Sequence, residues 1–172
     1  MLAVQARDLA SYNSWMNQHL YAACSQLPDP VRKKDSGAFF KSIHGTLNHL
    51  LLGDKIWLGR FLDHPFQMTS LDQELHTHFE ALQEDRSATD KQILDWANQL
   101  TDEALRGELK YISIVNPAPR KYEMWLAVTH FFNHQTHHRG QVTTLLNQRG
   151  IDIGPTDLIW LPEVIERNKL EE

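Results

Sequence analysis

The sequence is poor in several things, and each shortage excludes something. Cys24 is the single cysteine in 172 residues. No intrachain disulfide can form, and nothing points to an oxidising compartment. No apolar run approaches the ~20 residues that a membrane-spanning helix needs. The opening stretch, MLAVQARDLASYNSW, lacks the basic-then-apolar order of a signal peptide. Basic charge is scarce: 17 Lys and Arg stand against 22 Asp and Glu, for a formal net charge of −5. That balance, with no basic cluster, argues against binding a nucleic-acid backbone, which needs concentrated Lys and Arg. No nucleotide loop and no flavin or nicotinamide fingerprint occurs. A cytoplasmic protein without membrane or nucleic-acid partners is expected.

What is present is enough apolar residue, 41% of the chain, to build a core. One domain over residues 1–172 is expected. Four long segments show helical periodicity. The first runs from about Val4 to Gln26, with Leu9, Tyr12, Met16, Leu20 and Ala23 on one face, and LPDP ends it. The second, about Ala38 to Leu62, carries Phe40, Ile43, Leu47, Leu50, Leu51, Asp54, Trp57 and Phe61. The third is expected from Ser70, as N-cap, to about Leu100, with its polar middle QEDRSATD either exposed or a break. The fourth runs from about Tyr122 to Gln148 and stops at Gly150. Between the third and fourth, alternation in LKYISIV followed by NPAP predicts a short strand and turn, a small hairpin. GPTDLIWLPEVI predicts a short capping helix or turn. The fold class is all-α, a helical bundle with a short hairpin before the last long helix.

The fourth segment contains HFFNHQTHHRGQ, with His130, His134, His137 and His138. Residues four apart lie one above another on a helix, so His130, His134 and His138 form a row. Flanking Val128, Phe131, Val142 and Leu145 put that row on an apolar face. A single imidazole there is ordinarily a hydrogen-bonded core residue. Three in a row add a second reading, since imidazoles one turn apart can converge on one metal ion. His137 lies about 100° round from His138, towards the surface. In the second segment, His49 sits between Gly45 and Gly53, each one turn away. Glycine inside a helix costs roughly 1 kcal/mol relative to alanine. Two of them suggest space cleared around His49, either for close helix packing or for an open metal position beside a substrate. His19, His44, His64, His76 and His78 show no paired spacing and are read as surface residues. A di-iron site is excluded because no Glu-x-x-His occurs. A zincin is excluded because Gln135 stands where the catalytic glutamate of His-Glu-x-x-His would be.

YNSWMNQHL, HGTLNHLLLGDKIWLGRF and NHQTHHRGQVTTLLNQRG, in this order, resemble the DinB family of small helical metalloproteins. The sharpest elements are His134, His138, Gly140 and Gln141, in the pattern His-x-x-x-His-x-Gly-Gln, and His49 eight residues before Trp57. The resemblance implies an up-and-down four-helix bundle, usually homodimeric, with His49, His134 and His138 as metal ligands. It also points to metal-dependent transferases of small thiols and a thiol-dependent isomerase. Members often carry a glutamate where Gln135 stands here, which leaves that position without an acid/base role.

The expected function is therefore a metal-dependent enzyme of thiol-transferase or hydrolase type. It would use a divalent ion, zinc first, with nickel or another transition metal as alternatives. Three neutral imidazoles leave the ion its full charge to lower the pKa of a bound water or thiol. His130 and Gln141 are the candidate supporting residues, and Gly53, Trp57 and Arg60 the candidate substrate contacts. The rival expectation is a non-catalytic, metal-stabilised dimer that binds or senses a small molecule.

Overall fold

The computed structural model describes residues 1–113 and 117–169. Ile114, Val115 and Asn116, within the expected strand and turn, lie outside the described residues. The order is α1 (Ala3–Ser25), α2 (Asp29–Lys33), α3 (Ile43–Phe61), α4 (Phe79–Gln99), α5 (Asp102–Arg106), β1 (Glu108–Ile112), β2 (Pro119–Glu123), α6 (Met124–Asn147) and α7 (Pro162–Arg167). A 3₁₀ turn, Leu158–Trp160, precedes α7. The protein is mostly helical, and β1 pairs antiparallel with β2, Glu108 opposite Glu123 and Ile112 opposite Pro119. Among the described residues no helix is long and apolar enough to cross a membrane.

The long helices α1, α3, α4 and α6 pack in a ring of neighbours: α1 against α4 and α6, and α3 against α4 and α6. Along each one, apolar residues give way to polar ones and then return. One apolar half contains Leu20, Leu47, Leu51, Leu82 and Leu146. The other contains Ala6, Leu58, Ile93, Val128 and Phe131. Between these positions in sequence stand buried polar residues: Asn13 and Asn17 on α1, Asp54 on α3, Arg86 and Asp90 on α4, and Gln135 and Arg139 on α6. Arg86 Nη1 lies 2.5 Å from Asp54 Oδ2, and Arg86 Nη2 lies 2.8 Å from Asp90 Oδ1. Asn13 and Asn17 donate to Asp90 Oδ1 at 3.2 and 2.9 Å, and Arg139 donates to Asn13 Oδ1. Buried charges persist only when paired in this way.

Three sequence expectations are corrected. QEDRSATD is no break, since α4 runs continuously through it, and it is exposed on one face only: Gln83, Glu84, Ser87 and Ala88 are exposed, whereas Arg86, Thr89 and Asp90 are buried. Ser70 caps nothing: α4 starts at Phe79, with His78 at the N-cap. Residues 63–78 instead run as an irregular segment over α3, because Asn48 captures their backbone. Asn48 Oδ1 accepts from Leu75 N at 2.8 Å and His76 N at 2.9 Å, and Asn48 Nδ2 donates to His76 O at 3.1 Å. Finally, α3 begins at Ile43 rather than Ala38. Ser42 caps it by accepting from Gly45 N at 3.0 Å, which leaves Phe40 outside the helix.

Candidate metal centre

His49 lies on α3 and His134 and His138 on α6, at facing positions of two packed helices. One ligating nitrogen from each ring falls within 4.8 Å of the other two. His49 Nε2 and His134 Nε2 are 3.2 Å apart. Two nitrogens, each about 2.0–2.1 Å from a tetrahedral zinc, would stand about 3.3–3.4 Å apart. The donor set therefore fits a divalent transition metal: three imidazoles, with near-ideal spacing for two of them.

The far side of two rings is fixed. His49 Nδ1 donates to Leu71 O at 3.0 Å. A carbonyl can only accept, so the proton sits on Nδ1 and Nε2 is left with its lone pair facing α6. His138 Nδ1 donates to Gln141 Oε1 at 2.8 Å, which frees its Nε2 in the same way. Gln141 Nε2 in turn lies 3.2 Å from His137 Nε2. Leu71 belongs to the segment that Asn48 holds down, so the helix that supplies His49 also anchors its hydrogen-bond partner. Phe40 stacks on the His49 ring at 3.7 Å between centroids, with 17° between planes.

Burial depresses the imidazole pKa values. His134 is lowered to about 3, first by burial and then by the neighbouring His138 and His49. Burial is also the first cause of lowering at His49 and His138. All three rings are thus neutral near pH 7, the form that ligates metals.

A cavity of about 560 Å³ opens beside the cluster, lined by Phe39, Phe40, Leu71, Asp72, His137 and Gln141 as well as His49 and His138. Gly53, Trp57 and Arg60 are not among its lining residues. The glycines prove to serve close approach, not open space. A Cβ at Gly53 would lie 3.0 Å from His134 Cε1, so that glycine makes room for the His134 ring. A Cβ at Gly45 would lie 2.3 Å from Phe40 O, so that glycine lets the preceding turn cross the helix.

Trp57 and Arg60 instead sit near His130 and Tyr111, towards the hairpin. The His130 ring is exposed, 4.9 Å from Trp57 and 6.1 Å from His134, and does not join the cluster. Gln135 is fully buried and does not line the cavity. His137 is exposed. His44 and His76 are not incidental surface residues. His44 is 3% exposed and its Nε2 donates to His76 O at 2.8 Å, while His76 Nε2 lies 2.7 Å from Asp85 Oδ2. Their partners lie some 30 and 9 residues away, at no helical spacing. Phe40, Leu71 and Asn48 were invisible as site residues for a related reason: each acts from or through an irregular segment.

Helices converging three imidazoles beside a cavity define a mostly helical protein with a potential metal centre. The chain belongs to the DinB family, whose model matches residues 1–169. It is similar to Protein DinB of Bacillus subtilis (strain 168), at 28% identity over 168 residues, covering 88% of this chain and 90% of that one. Its fold is similar to the crystal structure of a DinB-like protein from Bacillus cereus ATCC 10987, with TM-score 0.60 and 17% identity, covering 84% of this chain and 90% of that one.

Proposed function

We propose that the protein is a metal-dependent enzyme acting on a small molecule. The observation that carries this is the meeting of three neutral imidazoles beside a cavity large enough for a small ligand. His49, His134 and His138 hold a divalent ion, zinc first, with nickel or another transition metal as alternatives. When bound, that ion supplies Lewis acidity that activates a thiol or water near neutral pH. The chain's own residues do the rest. Leu71 O and Gln141 Oε1 fix the tautomers of His49 and His138, so that both present lone pairs inward. Phe39, Phe40 and Leu71 give the cavity an apolar wall, and Asp72, His137 and Gln141 give it polar groups. His130, Trp57 and Arg60 flank the site on the other side and extend it towards the hairpin.

The reaction class is thiol transfer or hydrolysis on a small-molecule substrate. In the cell the chain works as a cytoplasmic homodimer, each copy folded as one up-and-down four-helix bundle. The test is turnover of electrophiles with common cellular thiols by protein loaded with a single zinc. His138→Ala should abolish turnover, and His19→Ala, far from the cluster, should not. Equal turnover by the His138→Ala protein would remove the metal site from the reaction.

A further inference from the structure

Arg60 differs from the other sheltered arginines of this chain. Arg7, Arg32, Arg139 and Arg149 each donate to an oxygen, of Leu100, Leu27, Asn13 and Leu145 respectively, and Arg86 is paired with Asp54. Arg60 is half-buried yet makes no hydrogen bond or ion pair with any described residue. Its guanidinium carbon lies 4.6 Å from the Trp57 ring centroid and 4.0 Å from that of Tyr111. Ring faces balance part of its charge but accept no conventional hydrogen bond, so its N–H fork stays free for a ligand. Sheltering a cation without a counter-ion is costly, and burial lowers its pKa.

The surroundings suit an anion. The groups around the guanidinium are Trp57, Tyr111, Tyr122 and His130, with no carboxylate among them. The patch is open to solvent, because Tyr122 is 39% exposed and His130 is exposed. It leads to the cluster: Trp57 touches His130 at 4.9 Å between ring centroids, and His130 lies 6.1 Å from His134. In a chain of net charge −5, an unpaired arginine set in aromatic walls beside a dication site is a local positive focus.

We propose that Arg60 is an anion-binding subsite that takes the carboxylate of a small substrate. The planar guanidinium offers the fork that carboxylates accept in bidentate fashion, and its stacking on Trp57 and Tyr111 holds that fork in place. This deepens the metal-enzyme reading and rests on it for what the bound molecule is held against.

The test is a titration of the full-length, zinc-loaded protein with benzoate and, in parallel, with neutral benzamide at fixed ionic strength. The indole N–H signal of Trp57, assigned with Trp57→Phe, is followed by NMR, and zinc content is measured in every sample. Benzoate should shift the signal saturably and benzamide should not. Arg60→Gln should weaken benzoate binding at least tenfold, and Lys34→Gln, exposed just after α2, should leave it unchanged. Equal shifts with benzamide, or undiminished benzoate binding by a zinc-loaded Arg60→Gln protein, would overturn the subsite and leave the metal reading standing. A wild-type protein that takes up no zinc but still binds benzoate through Arg60 would keep the subsite and remove the metal reading instead.

Discussion

Gly53 on α3 stands directly under the imidazole of His134 on α6, so close that a Cβ there would come within 3.0 Å of Cε1. This sets two quantities moving in opposite directions. Glycine to alanine inside a helix is worth up to roughly 1 kcal/mol of stability. Gly53→Ala should therefore hold or raise the melting temperature while weakening zinc binding, because the ring must shift by a few tenths of an ångström. Gly53→Leu should expel the ring and lose stoichiometric zinc with helicity retained. Calorimetric zinc titration and circular dichroism separate these outcomes. Full zinc affinity in a folded Gly53→Leu protein would mean that His134 does not need its present position.

Asn48 should matter to the metal although it touches no ligating atom. Its amide holds the backbone of Leu75 and His76, and the same segment presents Leu71 O to His49. Loss of an outer partner to a ligating histidine typically costs 10–100-fold in metal affinity. Asn48→Ala should fall in that range. Nitrogen-15 shifts of the His49 ring should show the proton no longer fixed on Nδ1. Affinity lost with the tautomer unchanged would place the effect elsewhere.

The pH dependence of the metal-free protein follows from the lowered imidazoles. The unfolded chain takes up these protons near the ordinary value of about 6.5. The native site resists, with His134 down to about 3 and His49 and His138 also lowered. Below about pH 6.5 the unfolded state therefore binds more protons, and stability falls as pH falls, by about 1.4 kcal/mol per pH unit for each such proton. Above that pH these groups contribute no slope. Buried Asp54, pushed up to about 7 by burial, gives the opposite slope over part of this range, so denaturant melts of apo wild-type and His134→Gln protein from pH 7.5 to 5 are compared. The substitution should remove a loss of stability on acidification, and an unchanged pH slope would contradict neutral, convergent rings.

Much of the helical frame is legible in periodicity, because α1, α3, α4 and α6 each keep one buried face over five turns or more, apolar at both ends and polar between. The histidine row is legible for the same reason, since helical spacing places His134 and His138 on one face. What escapes is encoded at a distance. The start of α4 depends on Asn48 capturing residues 75 and 76, a contact no local pattern around Ser70 reveals. The polar middle of α4 looks solvent-exposed until Asp54, one polar residue in the apolar stripe of α3, turns out to be the partner of Arg86. Gly53 reads as empty space because sequence spacing along one helix says nothing of the ring that faces it from another.

The central claim is that three imidazoles, and not a fourth, hold one metal ion. It is tested most directly by elemental analysis and X-ray absorption on protein purified without a nickel column and then loaded with zinc. The wild-type protein should hold one zinc per chain, with three nitrogen neighbours from protein at about 2.0–2.1 Å. His49→Ala, His134→Ala and His138→Ala should each lose stoichiometric zinc, and His137→Ala and His130→Ala should keep it. Undiminished zinc in any of the first three, or equal loss in His137→Ala, would contradict the assignment.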